Sequence, residues 1–159
     1  HSLSDILREE LEARGVPEGR DALREIGNEL RQEGGPGALA KRLLERLSDG
    51  ANHIVDSIRN PAEVTELRSL DGFTLIAVEA PARVRFERLR ARDRQGDPQS
   101  WEAFQSMEVA ELESDDPNTQ QLLATLALAD HGLDNGGERA DLDRALDALL
   151  VQLGSERNE

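Results

Sequence analysis

The stretch that most constrains the fold is Phe73-Thr74-Leu75-Ile76-Ala77-Val78, an uninterrupted run without a charge. Such a run predicts a strand buried on both faces, as strands of parallel sheets are. Pro81 follows and predicts a helix that opens there and runs to about Arg92. The period of the chain changes around this stretch. Leu23, Ile26 and Leu30 stand at helical spacing before it, as do Leu39, Leu43 and Leu47.

Two further short segments predict strands. His53-Ile54-Val55-Asp56 is β-branched and ends in a carboxylate, and Gly132-Leu133-Asp134 is closed by Asn135-Gly136-Gly137. Between them helices are expected. Ser4 or Asp5 caps the first, which runs to about Arg14 and ends at Gly15-Val16-Pro17. The second stops at Gly34-Gly35, and Pro36 starts a third that stops at Asp49-Gly50. Asn60 caps a helix with Pro61 at its first position and Glu63 three residues after the cap. Asp97-Pro98 and Asp116-Pro117 open two more. A last helix carries Leu142, Leu146, Leu149 and Leu150, with a frayed tail from Gly154. Alternating strands and helices define an α/β chain with a parallel sheet flanked by helices.

With aromatics at only 3% of the residues, the core has to be aliphatic. A net charge of −14 argues against a general nucleic-acid or anionic-membrane surface. There is no cysteine, so disulfides and thiolate metal sites are excluded, and His1, His53 and His131 show no metal-ligand spacing. Without a signal peptide or an 18-residue apolar run, a cytoplasmic protein is expected.

Gly34-Gly35-Pro36-Gly37-Ala38-Leu39-Ala40-Lys41-Arg42 contains the only lysine of the chain. A phosphate-binding loop needs glycine just before that lysine and a hydroxyl just after it, and here Ala40 and Arg42 stand in those places. The stretch is expected to end one helix and open the next.

Positive charge gathers in one place. Residues 83–94 hold six arginines against Glu87 and Asp93, a local charge of +4. On a helix Arg85, Arg88 and Arg92 share one face, and Arg83, Arg90 and Arg94 another. Guanidinium forks match phosphate oxygens, although pairing with the many surface carboxylates is an equally good account of this segment. Asp56 and Arg59 stand directly after a predicted strand, where open parallel sheets bind ligands. A carboxylate there can hold Mg²⁺ through water, and Arg59 can reach a phosphate; alternatively Asp56 caps a turn. Asp5 and Arg8, one turn apart near the start, are explained as well by a helix cap and solvent.

Taken in order, SLSDILR (2–8), IVDSIRNP (54–61), FTLIAVEAPARVRFERLRAR (73–92) and ADHGLDNGG (129–137) resemble segments of the P-loop nucleotide and nucleoside monophosphate kinases. Within them the chain is most similar to the dephospho-CoA-kinase-like and deoxynucleotide-kinase-like group. The resemblance spans nearly all of residues 2–150. It implies ATP and Mg²⁺ as cofactors and a small nucleotide or nucleoside phosphate as partner. It also implies that Asp5, Arg8 and Arg59 bind the acceptor, with Asp56 near Mg²⁺ and the attacking group. Arg88 and Arg92 would clamp the transferring phosphoryl, with Arg94 beside them, and Asn135 would lie near the adenine or ribose. Leu3 and Ser4 stand where Thr and Gly are usual, and Arg59 comes one residue early.

The family's first strand and P-loop precede the segment that SLSD resembles, so both are expected to be absent here. A missing N-terminal segment or a homodimer would then have to cover the exposed strand edges, unless 53–56 and 73–78 pair directly. The expected organisation is one kinase-like domain over 1–153. Acceptor-binding helices would occupy 2–50, core strands and the arginine helix 51–94, lid-like helices 95–128, and a C-terminal strand and helix 129–153; residues 154–159 form a tail. The expected function is the acceptor-binding portion of an ATP-dependent kinase. A dephospho-CoA kinase-like enzyme and a non-catalytic nucleotide-binding or interaction module are the alternatives.

Overall fold

A computed structural model describes residues 1–48, 50–94, 96–112 and 114–156. The architecture is mixed α/β and mostly helical, with a small two-stranded parallel sheet. In chain order the elements are α1 (Leu3–Ala13), α2 (Arg20–Gly34), α3 (Ala38–Leu44), α4 (Pro61–Leu67), β1 (Ile76–Glu79), α5 (Ala82–Arg92), α6 (Trp101–Leu112), α7 (Leu122–Leu126), β2 (His131–Asp134) and α8 (Arg139–Glu156).

The main core is built by α1 to α4, whose leucines and isoleucines recur at helical spacing and meet in the middle. Leu3, Ile6, Leu7 and Leu11 of α1 pack with Ile26 and Leu30 of α2, Leu39 and Leu43 of α3 and Leu67 of α4. Burying side chains of this size contributes about 1.5–3 kcal/mol each. The turn between α2 and α3 is the glycine stretch read above as a helix–helix connection, and that expectation holds. Gly35 takes a left-handed φ of 87°, and Gly37 lies so close to α4 that a Cβ there would sit 2.7 Å from Cγ of Glu66.

Inside this helical unit is a fully buried ion pair. Arg31 of α2 is 3% exposed and Glu63 of α4 is 0% exposed. Glu63 Oε1 accepts from Nε and Nη2 of Arg31, at 3.0 and 2.7 Å. Its Oε2 accepts from the backbone N–H groups of Arg59 and Asn60, at 2.9 and 3.1 Å. The capping box foreseen from Asn60 and Glu63 is present. The Asn60 side chain also donates to the carbonyls of Pro117 and Thr119, tying the start of α4 to the segment before α7.

β1 and β2 run parallel in the register Ile76–His131 to Glu79–Asp134. Two strand expectations need correction. Residues 53–56 form no strand; among the described residues they make an isolated bridge between Asp56 and Ser2, with Asp56 N–H donating to the His1 carbonyl, Leu3 N–H donating to the Asp56 carbonyl and the His1 amine donating to the Ile54 carbonyl. Val55 packs on the core while Ile54 is exposed, because neighbouring side chains of an extended segment point opposite ways. The clearest predicted strand begins at Ile76 rather than Phe73. The carbonyl of Leu75 is taken by the N–H groups of Asp130 and His131, and the Leu75 N–H donates to the Asp130 carboxylate at 2.8 Å, so a clasp precedes the ladder. Nor is that strand buried on both faces: Ala77 is buried, while Val78, whose side chain points to the opposite face, is 53% exposed. Residues 53–56 and 73–78 do not pair with each other.

Several helix starts also differ. Ser2, not Ser4 or Asp5, is the N-cap of α1, because the bridge to Asp56 holds Ser2 extended and its hydroxyl accepts from Ser4 N–H. α3 ends at Leu44, short of the expected stop, of which Asp49 lies outside the described residues. Asp97 does not open α6. Its carboxylate is held by arginines, and Ser100 Oγ accepts from Ala103 N–H at the helix start instead. Asp116-Pro117 makes a turn in which Asp116 accepts from Asn118 and Thr119, and α7 begins later. The last helix persists through Glu156 rather than fraying from Gly154; residues 157–159 lie outside the described part.

Candidate functional site

The arginine-rich helix α5 follows β1 after a tight Ala80-Pro81 connection, so its polar face is delivered to the carboxyl end of the sheet. A shallow hollow of about 380 Å³ lies there, lined by Glu79, Ala80, Pro81, Gly132, Leu133 and Asp134. Beside it is a cleft of about 360 Å³ into which Arg20 of α2 and Arg85, Arg88 and Arg92 of α5 project, with Asn135 at one side. Open parallel sheets place their ligands at this end. The chain reaches the position by close packing: a Cβ on Gly136 would meet Pro81 Cδ at 2.7 Å.

The face shared by Arg85, Arg88 and Arg92 is thus the face that lines the cleft, as helical spacing requires. The opposite set diverges. Arg83 lies over the Trp101 ring, 3.8 Å from its centroid, and Trp101, stacked on Phe104 of its own helix, meets Phe86 edge-on to fasten α6 to α5. Arg94 lies past the end of α5, whose C-cap Asp93 is left-handed at φ 46°, and is exposed outside the residues lining the cleft.

Each site arginine has a protein partner. Arg88 donates to the carbonyls of Asn135, at 2.6 Å, and Gly137, at 3.2 Å, so these two expected site residues do meet. Arg92 makes a two-point contact with Asp97 at 2.9 and 3.0 Å. Arg20 bridges Asp97, at 3.1 Å, and Glu111, at 3.0 Å. Arg59 reaches the same Glu111 at 3.3 Å and Gln120 at 3.1 Å, and Arg85 pairs with Glu108. The result is a continuous charge chain from α5 through α2 to the loop before α4.

Asp97 was legible only as a helix opener, yet it is the junction of this chain. Its side chain is 4% exposed. The Arg92 guanidinium, assisted by Arg20 and against the cost of burial, holds its pKa down at about 2. Glu108 and Glu111 were missed too, because nothing in an acidic helix marks which carboxylates face inward.

The remaining expected residues gather elsewhere. Asp56 is exposed, and its carboxylate accepts from the Ser57 hydroxyl at 2.9 Å. Ser57 has a left-handed φ of 63°, a costly state for a serine, held by that bond and by the Ser2 hydroxyl. Arg8 is paired with Asp5 and Glu18. Among the described residues, no group of three or more histidine, aspartate or glutamate side chains is placed to hold a metal ion. Among them, too, no helix is long and apolar enough to cross a membrane.

A chain of this kind, a helical unit with an arginine cleft at the end of a small parallel sheet, can be set beside known proteins. It belongs to the UPF0200 family. It is 31% identical to a UPF0200 protein of Pyrococcus abyssi over 159 residues, which is 96% of this chain and 82% of that protein. It is 33% identical to one from Thermococcus kodakarensis, covering 98% of this chain and 84% of the relative. It is also 33% identical to one from Hyperthermus butylicus, covering 95% and 79%. No family model matches the chain.

Proposed function

We propose that the cleft binds the phosphate of a small nucleotide or nucleoside phosphate, as part of a P-loop-kinase-like cytoplasmic protein in which ATP is the donor. The observation that carries this reading is the convergence of Arg20, Arg85, Arg88 and Arg92 on one cleft at the carboxyl end of a parallel strand, in a chain of net charge −14. The four guanidinium groups share the lining with Glu79, Glu108 and Glu111, so the cleft is far less negative than the remaining protein, and their forks are held in one concavity where an oxyanion can engage several at once. In this reading Arg88 and Arg92 clamp the phosphoryl group, and Arg59, joined to the cleft through Glu111, approaches from the acceptor side, while Arg8 lies away from it with Asp5 and Glu18. Asn135, fixed by Arg88, borders the nucleoside.

Mg²⁺ fits less well. Asp56 offers a single exposed carboxylate and does not line the arginine cleft, so no step is drawn through the metal. The lysine-bearing glycine stretch is a helix–helix turn and takes no part in this reading.

Calorimetric titration with AMP, inorganic phosphate and ATP tests the reading. AMP should bind more tightly than phosphate, and Arg88→Ala should weaken AMP by about 1.5–3 kcal/mol, the range for a charge-assisted hydrogen bond. AMP binding no stronger than phosphate, or unaffected by Arg88→Ala, would remove it.

A further inference from the structure

Glu108 and Glu111 stand three residues apart on α6 and both line the arginine cleft. Glu111 uses its two oxygens on different elements: Oε1 accepts from Arg20 of α2 at 3.0 Å, and Oε2 from Arg59, ahead of α4, at 3.3 Å. Glu108 accepts from Arg85 of α5 at 2.9 Å. An anion whose oxygens each engage a guanidinium from a separate element is the arrangement a phosphate would adopt.

The attachment of α6 is divided along its length. Its first half is fixed by apolar contacts, where Trp101, Phe104 and Met107 pack with Phe86 and Leu89 of α5. Beyond Met107 its ion pairs are those of the two glutamates, α6 also touching α7, while Val109 beside them is 69% exposed. Apolar contact persists when an anion arrives; an ion pair can be exchanged for another.

We propose that Glu108 and Glu111 are a built-in competitor for the anion site. They occupy Arg85, Arg20 and Arg59 until the phosphate of a nucleotide or nucleoside phosphate displaces them and frees the second half of α6. The proposal rests on the reading of the cleft as a phosphate site. Exchange of one anion for another means that the empty cleft keeps its arginines aligned without a ligand. It also means that ligand affinity is set by the difference between phosphate and carboxylate.

The test is titration of inorganic pyrophosphate into the wild-type chain, Glu111→Gln, Glu108→Gln and the double variant Glu111→Gln/Arg59→Gln. Far-UV circular dichroism confirms that each is folded. Glutamine keeps the shape and removes the competing charge. Glu111→Gln should bind pyrophosphate roughly tenfold more tightly, as expected for releasing a charge-assisted contact that is partly open to solvent, and Arg59→Gln should cancel the gain. Hydrogen exchange at 108–112 should rise when pyrophosphate is added to the wild type.

A folded Glu111→Gln that binds pyrophosphate no more tightly than the wild type overturns the proposal, including the case in which neither binds it. If that variant does not fold, Glu108→Gln is judged by the same criterion. The nucleotide reading fails separately, when AMP binds the wild type no better than phosphate while the pyrophosphate gain of Glu111→Gln persists.

Discussion

Replacing Glu63 by glutamine should destabilise this protein more than any other single-atom change in its helical unit. The carboxylate has two acceptor oxygens and both are in use: one takes the Arg31 fork, the other the N–H groups of Arg59 and Asn60. Glutamine has one acceptor oxygen, and its NH₂ group can only donate. Whichever way the amide turns, it faces either a guanidinium or two backbone N–H groups with another donor. Arg31, 3% exposed, is then left with an uncompensated charge. Breaking such a pair costs about 3–5 kcal/mol. For a chain of this length, that corresponds to a fall in Tm of roughly 6–20 °C.

Thermal and urea unfolding followed by circular dichroism measure the loss. Glu66→Gln, which removes a partly exposed partner 3.5 Å from Lys41, is the control and should cost less than about 1 kcal/mol. In Arg31→Met/Glu63→Gln the buried charge is gone, so part of the lost stability should return. A Glu63→Gln loss below about 1 kcal/mol, or no recovery in the double variant, would refute the claim that the pair is fully desolvated.

Three other outcomes are expected. Asp97 is depressed by Arg92 and Arg20, so its contribution to stability is present above the unfolded carboxylate range and is lost as pH falls through about 2. An NMR titration of its side chain with a midpoint near 4 would contradict this. The 159-residue chain should transfer no phosphoryl group from ATP to any nucleoside monophosphate; turnover abolished by Asp56→Ala would show otherwise. Val78 together with Leu146, Leu150 and Val151 of α8 leaves apolar surface open, so light scattering at micromolar concentration should report a particle larger than the 17.5 kDa monomer. A monodisperse monomer would overturn that expectation.

Local chemistry was readable from the sequence alone wherever the cause is local. The capping box of Asn60 and Glu63 lies within four residues, and the Gly34-Gly35 stop depends only on a left-handed backbone. The apolar spacing of α2 and α3 and the shared face of Arg85, Arg88 and Arg92 follow from 3.6 residues per turn. The charge-free run Phe73 to Val78 and the short segment Gly132 to Asp134 were also legible as strands, and the parallel pairing of Ile76–Glu79 with His131–Asp134 bears this out for the second half of the first and the whole of the second.

Tertiary structure decided what depends on partners far along the chain. Nothing near Glu63 announces Arg31, 32 residues away, and nothing near Asp97 announces Arg20, 77 residues away. The segment 53–56 has the composition of a strand but became an extended link, because a strand exists only where a second backbone lies along it, and here the short stretch His1–Leu3 gives a single bridge before α1 begins. Which carboxylates of an acidic protein face its arginines is likewise a matter of packing. Sequence sets the charges, and the positions of α2, α5 and α6 decide that Glu108, Glu111 and Asp97 are the ones that meet them.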